Sequence, residues 1–227
     1  QSPAAVSAAG RVRRYWSVKT SHEYYEEHFD TEPDLDRNYA VYFLHVQPEV
    51  TVEGMAFEFQ DQVSTIRNLL AYLPADTELY VKEHRPTAGI RPVEFYAELA
   101  HIPNVTLVND EVHSHRLIEH AQVVLTLTGT VGLEAIYYGV PTVMLGNVFF
   151  NEFEGIYHPG SFAEARELLA DLDALQGATE EDAIRTLAAI KEASILGIYP
   201  PRPEENPESS RHLVAGVHDY LQRTAQP

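Results

Sequence analysis

The sequence predicts an α/β fold, a parallel sheet covered by helices on both faces. Three observations carry this. Five short apolar runs alternate with helix-patterned segments between Tyr39 and Leu145. One of them, Val123 to Leu127, is a short apolar run that suits a strand buried on both faces. The stretch from Leu125 to Gly146 then reads as strand, tight loop, helix, turn and strand. Thr128-Gly129-Thr130 forms the loop, Gly139 is placed to end the helix, and Pro141 opens the next strand.

Taken in order, Arg11 to Phe29 holds Arg-Tyr-Trp and His-Glu-Tyr-Tyr-Glu-Glu-His and predicts a polar, aromatic helix. Asp30 to Asn38 contains Pro33 and four acidic residues, the composition of a linker. Tyr39 to Val46 predicts the first strand. Phe57 to Leu73 predicts a helix with Ile66, Leu69, Leu70 and Leu73 on one face. Strands follow at Leu79–Lys82, Val105–Val108, Val123–Leu127 and Thr142–Leu145. Helices are expected at Pro92–His101, His113–His120 and Leu133–Tyr138. Right-handed crossovers between parallel strands make such a domain Rossmann-like. Beyond it come extra C-terminal helices: Ser161–Leu175 and Glu180–Ile195 are amphipathic, Ser209–Thr224 is a third helix, and Tyr199 to Pro207 reads as a rigid connector.

Composition narrows the classes of partner. The net charge is −18, from 34 acidic and 16 basic residues, so the global field repels DNA, RNA and anionic lipid. An anionic substrate then needs a local basic pocket. There are no cysteines, which removes disulfides, thiolate nucleophiles and Cys-zinc sites and fits a reducing compartment. No apolar run approaches the roughly 18 residues of a membrane span, and the small, polar opening lacks the plan of a signal peptide. A start at Gln1 rather than methionine suggests an excised or processed piece.

In open α/β sheets, ligands bind beyond the carboxyl ends of the strands. Here those ends carry His45-Val-Gln47-Pro-Glu49, Lys82-Glu83-His84-Arg85, Thr128-Gly129-Thr130 and Gly146-Asn147. A glycine-hydroxyl loop at a helix start suits a phosphate, and Glu134, a turn further in, could accept hydrogen bonds from sugar hydroxyls. The plain alternative is that Gly and Thr serve only the turn and cap. Lys82, His84 and Arg85 could offset a diphosphate, or a phosphate and a carboxylate; alternatively Lys82 pairs with a surface acid. His45 either binds ligand or hydrogen-bonds the next loop. His113, His115, His120 and Glu119 do not make a zinc ligand set, and no Gly-x-Ser-x-Gly elbow occurs.

As an ordered set, His45-x-Gln-Pro-Glu49, Asp61-Gln62, Val81-Lys-Glu-His84, Asn104-Val105, Thr128-Gly-Thr-x-Gly-x-Glu-Ala135 and Gly139-x-Pro141 resembles the bacterial capsule polysaccharide biosynthesis and export family. That family includes Kdo transferases using CMP-β-Kdo. The resemblance runs from about Val41 to Tyr157. It implies a GT-B glycosyltransferase, in which two Rossmann-like domains face each other across a cleft, and it makes this chain the C-terminal, donor-binding half. By the resemblance His84 contacts the donor phosphate, Thr128 and Thr130 the phosphate or sugar carboxylate, and Glu134 ribose or cytidine. The whole candidate donor set is His45, Gln47, Glu49, Lys82, His84, Arg85, Thr128, Gly129, Thr130, Gly132 and Glu134. No catalytic residue is assigned, no metal site or other cofactor is expected, and the acceptor, a polysaccharide or glycolipid, is expected on an absent N-terminal domain. Relatives commonly follow the motif histidine with proline; here Arg85 intervenes.

These readings divide the chain into a linker and helical segment at 1–38, a nucleotide-sugar-binding domain at 39–160, and helices packing on it at 161–227. The expected location is cytoplasmic, peripheral to the inner membrane through partners. Two other functions fit the same scaffold: a nucleotide-sugar epimerase or hydrolase domain, and a non-catalytic, partner-binding remnant.

Overall fold

A computed structural model describes residues 8–194 and 207–224. It contains a six-stranded, wholly parallel sheet in the order β3-β2-β1-β4-β5-β6. The strands are β1 Tyr39–Phe43, β2 Glu78–Lys82, β3 Val105–Val108, β4 Val123–Thr126, β5 Thr142–Met144 and β6 Ile156–Tyr157. The helices are α1 Ala8–His28, α2 Val50–Met55, α3 Gln62–Tyr72, α4 Val93–Ala100, α5 Ser114–His120, α6 Val131–Ile136, α7 Phe162–Leu169, α8 Glu180–Ala193 and α9 Pro207–Thr224. The chain falls into two compact units that meet at Ala183 and Ile184. The sheet belongs to the first, and α9 to the second. All but the last residue of the connector expected at Tyr199–Pro207 lies outside the described residues. Among the described residues, no helix is long and apolar enough to cross a membrane.

The two-residue period of a strand explains how β1 serves two cores. Ala40, Tyr42 and Leu44 face a layer built with Val63, Ile66 and Leu69 of α3 and Tyr96 and Leu99 of α4. Tyr39, Val41 and Phe43 face the other layer, with Leu117 and Ile118 of α5 and Ala135 of α6. Every residue of β1 and β4 is buried, which accounts for their mostly apolar character.

Most expected strands stand within a residue or two of their places. The helix expected from Phe57 to Leu73 is instead two elements, a 3₁₀ turn at Phe57–Phe59 and α3. Asp61 divides them: its side chain accepts the Ser64 N–H at 3.2 Å, as an N-cap does. Periodicity alone does not register such a cap when apolar residues continue on both sides. The helix α2 and the two-residue strand β6 escaped notice because both are too short to show a period. Gly139 ends α6 as expected, at φ +65°, with its N–H and that of Val140 bonded back to Ile136 and Ala135.

The lower half of α1 is fastened to the sheet edge. Tyr25 and Phe29 are buried against Tyr96, with ring centroids 5.8 and 5.1 Å away. The Tyr25 hydroxyl donates to the Asp110 carboxylate and accepts the Asp110 N–H, both at 2.7 Å. Asp30 then bridges Val108 in parallel, lengthening the sheet edge beyond β3.

Candidate functional site

The strand order reverses at β1, which pairs with β2 on one side and β4 on the other. The helix after β1 covers one face and the helix after β4 the other, so a crevice opens between their carboxyl ends. It is an open cleft of about 870 Å³, within the range of small-molecule sites. Of the candidate donor residues, His45, Glu49, Lys82, His84, Arg85, Thr128, Gly129, Thr130 and Glu134 line it, joined by Asp110, Glu111, His113 and His115 from the segment after β3.

Two candidates stand elsewhere. Gln47 is turned from the cleft: it donates to the Gln60 carbonyl at 2.7 Å and accepts from Gln62 at 2.6 Å. Gln62 in turn accepts the His45 N–H at 2.7 Å and donates to the His45 carbonyl at 3.0 Å, pinning the segment after β1. Gly132 faces the sheet. A Cβ there would lie 2.6 Å from Met144 Cε and 3.0 Å from Thr142 Cγ2, so glycine lets α6 approach β5. Both residues shape the site rather than line it.

His45 is buried and organises the phosphate-suited loop. Its Nε2 accepts the Thr128 N–H at 3.1 Å, while the Gly129 N–H donates to Thr126 Oγ1 at 3.2 Å. Two of the loop's amides are therefore already committed within the protein, and what the loop can offer a ligand is chiefly its hydroxyls and the amides beyond Gly129. Because Nε2 is the acceptor, the ring proton sits on Nδ1, which is buried without a hydrogen-bond partner. Burial pushes the His45 pKa down to about 4, helped by the charges of His84 and Arg91 and opposed by the Phe43 backbone.

This sets a pH window. The unfolded ring titrates near 6.5 and the folded one near 4. Between these values the unfolded chain binds more protons, so stability is full above 6.5 and is lost as pH falls towards 4. The expected loss from His45 alone is about 2 kcal/mol by pH 5. Denaturant unfolding at pH 7.5 and 5 checks it: His45→Asn should be less pH-sensitive than wild type by that amount, and equal sensitivity would refute it.

Lys82 is buried rather than paired with a surface acid. Its Nζ donates to the carbonyls of Asn109 and Asp110 at 3.1 and 3.0 Å. Burial pulls its pKa down to about 8, with Asp110 and Glu83 opposing the shift. It is still mostly charged at neutral pH. His84 and Arg85 are exposed at the cleft mouth, Arg85 4.0 Å from Asp110. Glu83 also borders the cleft, but its carboxylate is enclosed and meets Arg91 in a buried pair at 2.8 Å. Sequence reasoning passed over Arg91, because nothing in its spacing distinguishes a buried arginine from a surface one.

Glu134 is held from two sides. Thr130 Oγ1 donates to one carboxylate oxygen at 3.4 Å, and His115 Nε2 lies 3.2 Å from the other. The Tyr138 hydroxyl and His115 Nδ1 share a hydrogen bond at 2.9 Å, which fixes that ring. His115, weighed only as a metal ligand from sequence, is thus the residue that orients Glu134. The cleft therefore offers cations at one end and a positioned carboxylate at the other. That arrangement suits a ligand bearing both phosphate and hydroxyls.

A family model described as capsule polysaccharide biosynthesis protein matches residues 5–179. No curated protein matches the chain. Solved structures with a similar fold include a putative UDP-N-acetylglucosamine 2-epimerase from Listeria monocytogenes, 20% identical over 74% of this chain and 50% of that one, with a TM-score of 0.45. KpsC of Thermosulfurimonas dismutans, a β-Kdo 2,7 transferase, is 15% identical over 82% and 64%, at 0.46. UDP-GlcNAc 2-epimerase from Methanocaldococcus jannaschii is 14% identical over 77% and 50%, at 0.48. The chain spans less than two thirds of the length of each of these structures.

Proposed function

The chain belongs to the capsule polysaccharide biosynthesis protein family, and from that premise we propose that its cleft binds the nucleotide-sugar donor of a glycosyltransferase, with a CMP-sugar such as CMP-β-Kdo as first choice. The observation that carries this reading is the convergence, at the sheet's reversal point, of Lys82, His84 and Arg85 with the Thr128–Thr130 loop and Glu134 around one cleft. The cations take the phosphate. Glu134, held by Thr130 and His115, takes hydroxyls of the ribose or polar groups of the base. In transfer, an acceptor hydroxyl oxygen attacks the anomeric carbon while the bond to the phosphate oxygen breaks and the nucleotide leaves with the electron pair. Lys82, His84 and the loop stabilise that developing charge. The acceptor, a polysaccharide or glycolipid, and the base that takes its proton belong to a facing domain.

Calorimetric titration with CMP, UMP, GMP and AMP tests this. One nucleotide should be preferred, with CMP expected. Glu134→Gln should weaken that nucleotide about tenfold, the scale of losing a charge-assisted hydrogen bond, and leave inorganic phosphate affinity unchanged. Equal or negligible binding of all four nucleotides removes the donor reading. Release of free or epimerised sugar from donor alone would transfer it to a hydrolase or epimerase.

A further inference from the structure

From Arg11 to Thr20, ten consecutive residues of α1 are exposed. Their composition is not that of a solvated helix. Val12, Tyr15 and Trp16 are 57%, 64% and 57% exposed. At about 100° per residue these three and Lys19 fall within an arc of about 100°. Ser21 and Tyr25, which α1 does bury, lie on roughly the opposite side. The apolar arc therefore faces away from the surface on which α1 rests. Arg11 and Arg13 flank it, and Arg14 lies on the far side.

The charge is equally local. Four of the chain's 16 basic residues stand within Arg11–Lys19, a segment without a single acid, while all 34 acidic residues lie elsewhere. Lys19 Nζ sits 5.3 Å from the Trp16 ring centroid, its charge over the aromatic face. We propose that this segment of α1 docks on an anionic lipid surface, with Arg13 and Lys19 at the phosphates and the Trp16 and Tyr15 rings at headgroup level. Indole and phenol rings favour that depth, and a basic helix with an aromatic arc meets both requirements of an interfacial helix.

The net charge of −18 does not forbid this. Ten helical residues extend about 15 Å, whereas exposed charges are screened over ~8 Å at physiological salt. A surface approached by these turns meets the arginines first; the nearest acid, Glu23, lies one turn past Lys19 and pairs with it at 3.6 Å as an exposed pair. The same charge pattern disfavours nucleic acid as the partner, since a lipid surface can be met by three turns alone while a duplex brings its phosphates along the acidic body as well.

Trp16 is the sole tryptophan of the chain, so its fluorescence reports on this segment directly. The full chain is mixed with vesicles of phosphatidylglycerol and phosphatidylcholine in equal parts, and separately with phosphatidylcholine alone. Expected are a blue shift of the Trp16 emission and co-sedimentation with the anionic vesicles, at least about tenfold weaker on phosphatidylcholine and weakened by added salt. The double variant Arg13→Glu/Arg14→Glu should abolish both signals with an unchanged melting temperature, because both side chains are exposed. Equal partition onto both vesicle types, or none, overturns the proposal. So does a blue shift that grows with protein concentration in the absence of vesicles, which would make a second copy of the chain the occupant.

Discussion

Arg91→Met is expected to destabilise the protein by about 3–5 kcal/mol, the cost of stranding a buried carboxylate. In a chain of this size that lowers the melting temperature by roughly 6–20 °C. Arg91 Nε and Nη2 donate to the two Glu83 oxygens at 2.8 and 2.9 Å, and Nη2 also reaches the His45 and Thr87 oxygens at 2.9 Å. Glu83 further accepts from the Tyr96 hydroxyl, Thr87 Oγ1 and the His84 N–H at 2.9, 3.0 and 2.6 Å. Methionine fills the volume but leaves the Glu83 charge enclosed with neutral donors only. Adding Glu83→Gln should recover part of the loss, since the amide needs no counter-charge. Denaturant unfolding of the wild type, the single variant and the double variant checks both statements. Wild-type stability for Arg91→Met would mean that Glu83 does not need its partner. The pair also ties the turn that carries His84 to the segment that carries His45, so its loss should loosen both walls of the cleft.

Lys82→Met should split stability from binding. The wild-type ammonium is held charged at neutral pH against a burial that pulls its pKa to about 8. Removing that charge should leave unfolding free energy unchanged or raised. Affinity for phosphate-bearing ligands should fall about 10- to 100-fold, the range for a charge-assisted contact. The pH dependence supplies a second reading. In the wild type, affinity should decline as pH rises through about 8 and Lys82 becomes neutral, whereas the variant should be flat across that interval. Calorimetry with CMP or inorganic phosphate measures both. Affinity equal to wild type at pH 7 would remove Lys82 from the site.

The sheet was largely legible because its strands are apolar runs bounded by turn residues, and burial on both faces leaves little freedom in such patterns. The reversal of strand order was not legible, since pairing between β1 and β4 rests on contacts far apart in sequence. At the site, residues immediately past strand ends could be named, because chain position alone delivers them to the crevice. Their orientation could not. Gln47 and Gly132 lie in the right segments but point to Gln62 and Met144. Glu83 and Lys82 are neighbours with different surroundings, and His115 gains its meaning only when α5 is laid beside α6. Arg91 shows the same limit: a buried ion pair is created by packing and leaves no periodic trace.

The strand order also fixes the sequence of events by which the sheet can close as the chain is made. β1, β2 and β3 come from residues 39–108 and are neighbours, so half of the sheet can assemble from contiguous chain. The other edge of β1 waits for β4, roughly 80 residues after it. At about 5–20 residues per second that edge stands open on the ribosome for roughly 4 to 16 seconds. During that interval a strand whose every residue is buried in the finished fold presents unpaired backbone to its surroundings, and newly made chains are then at their greatest risk of pairing with one another instead.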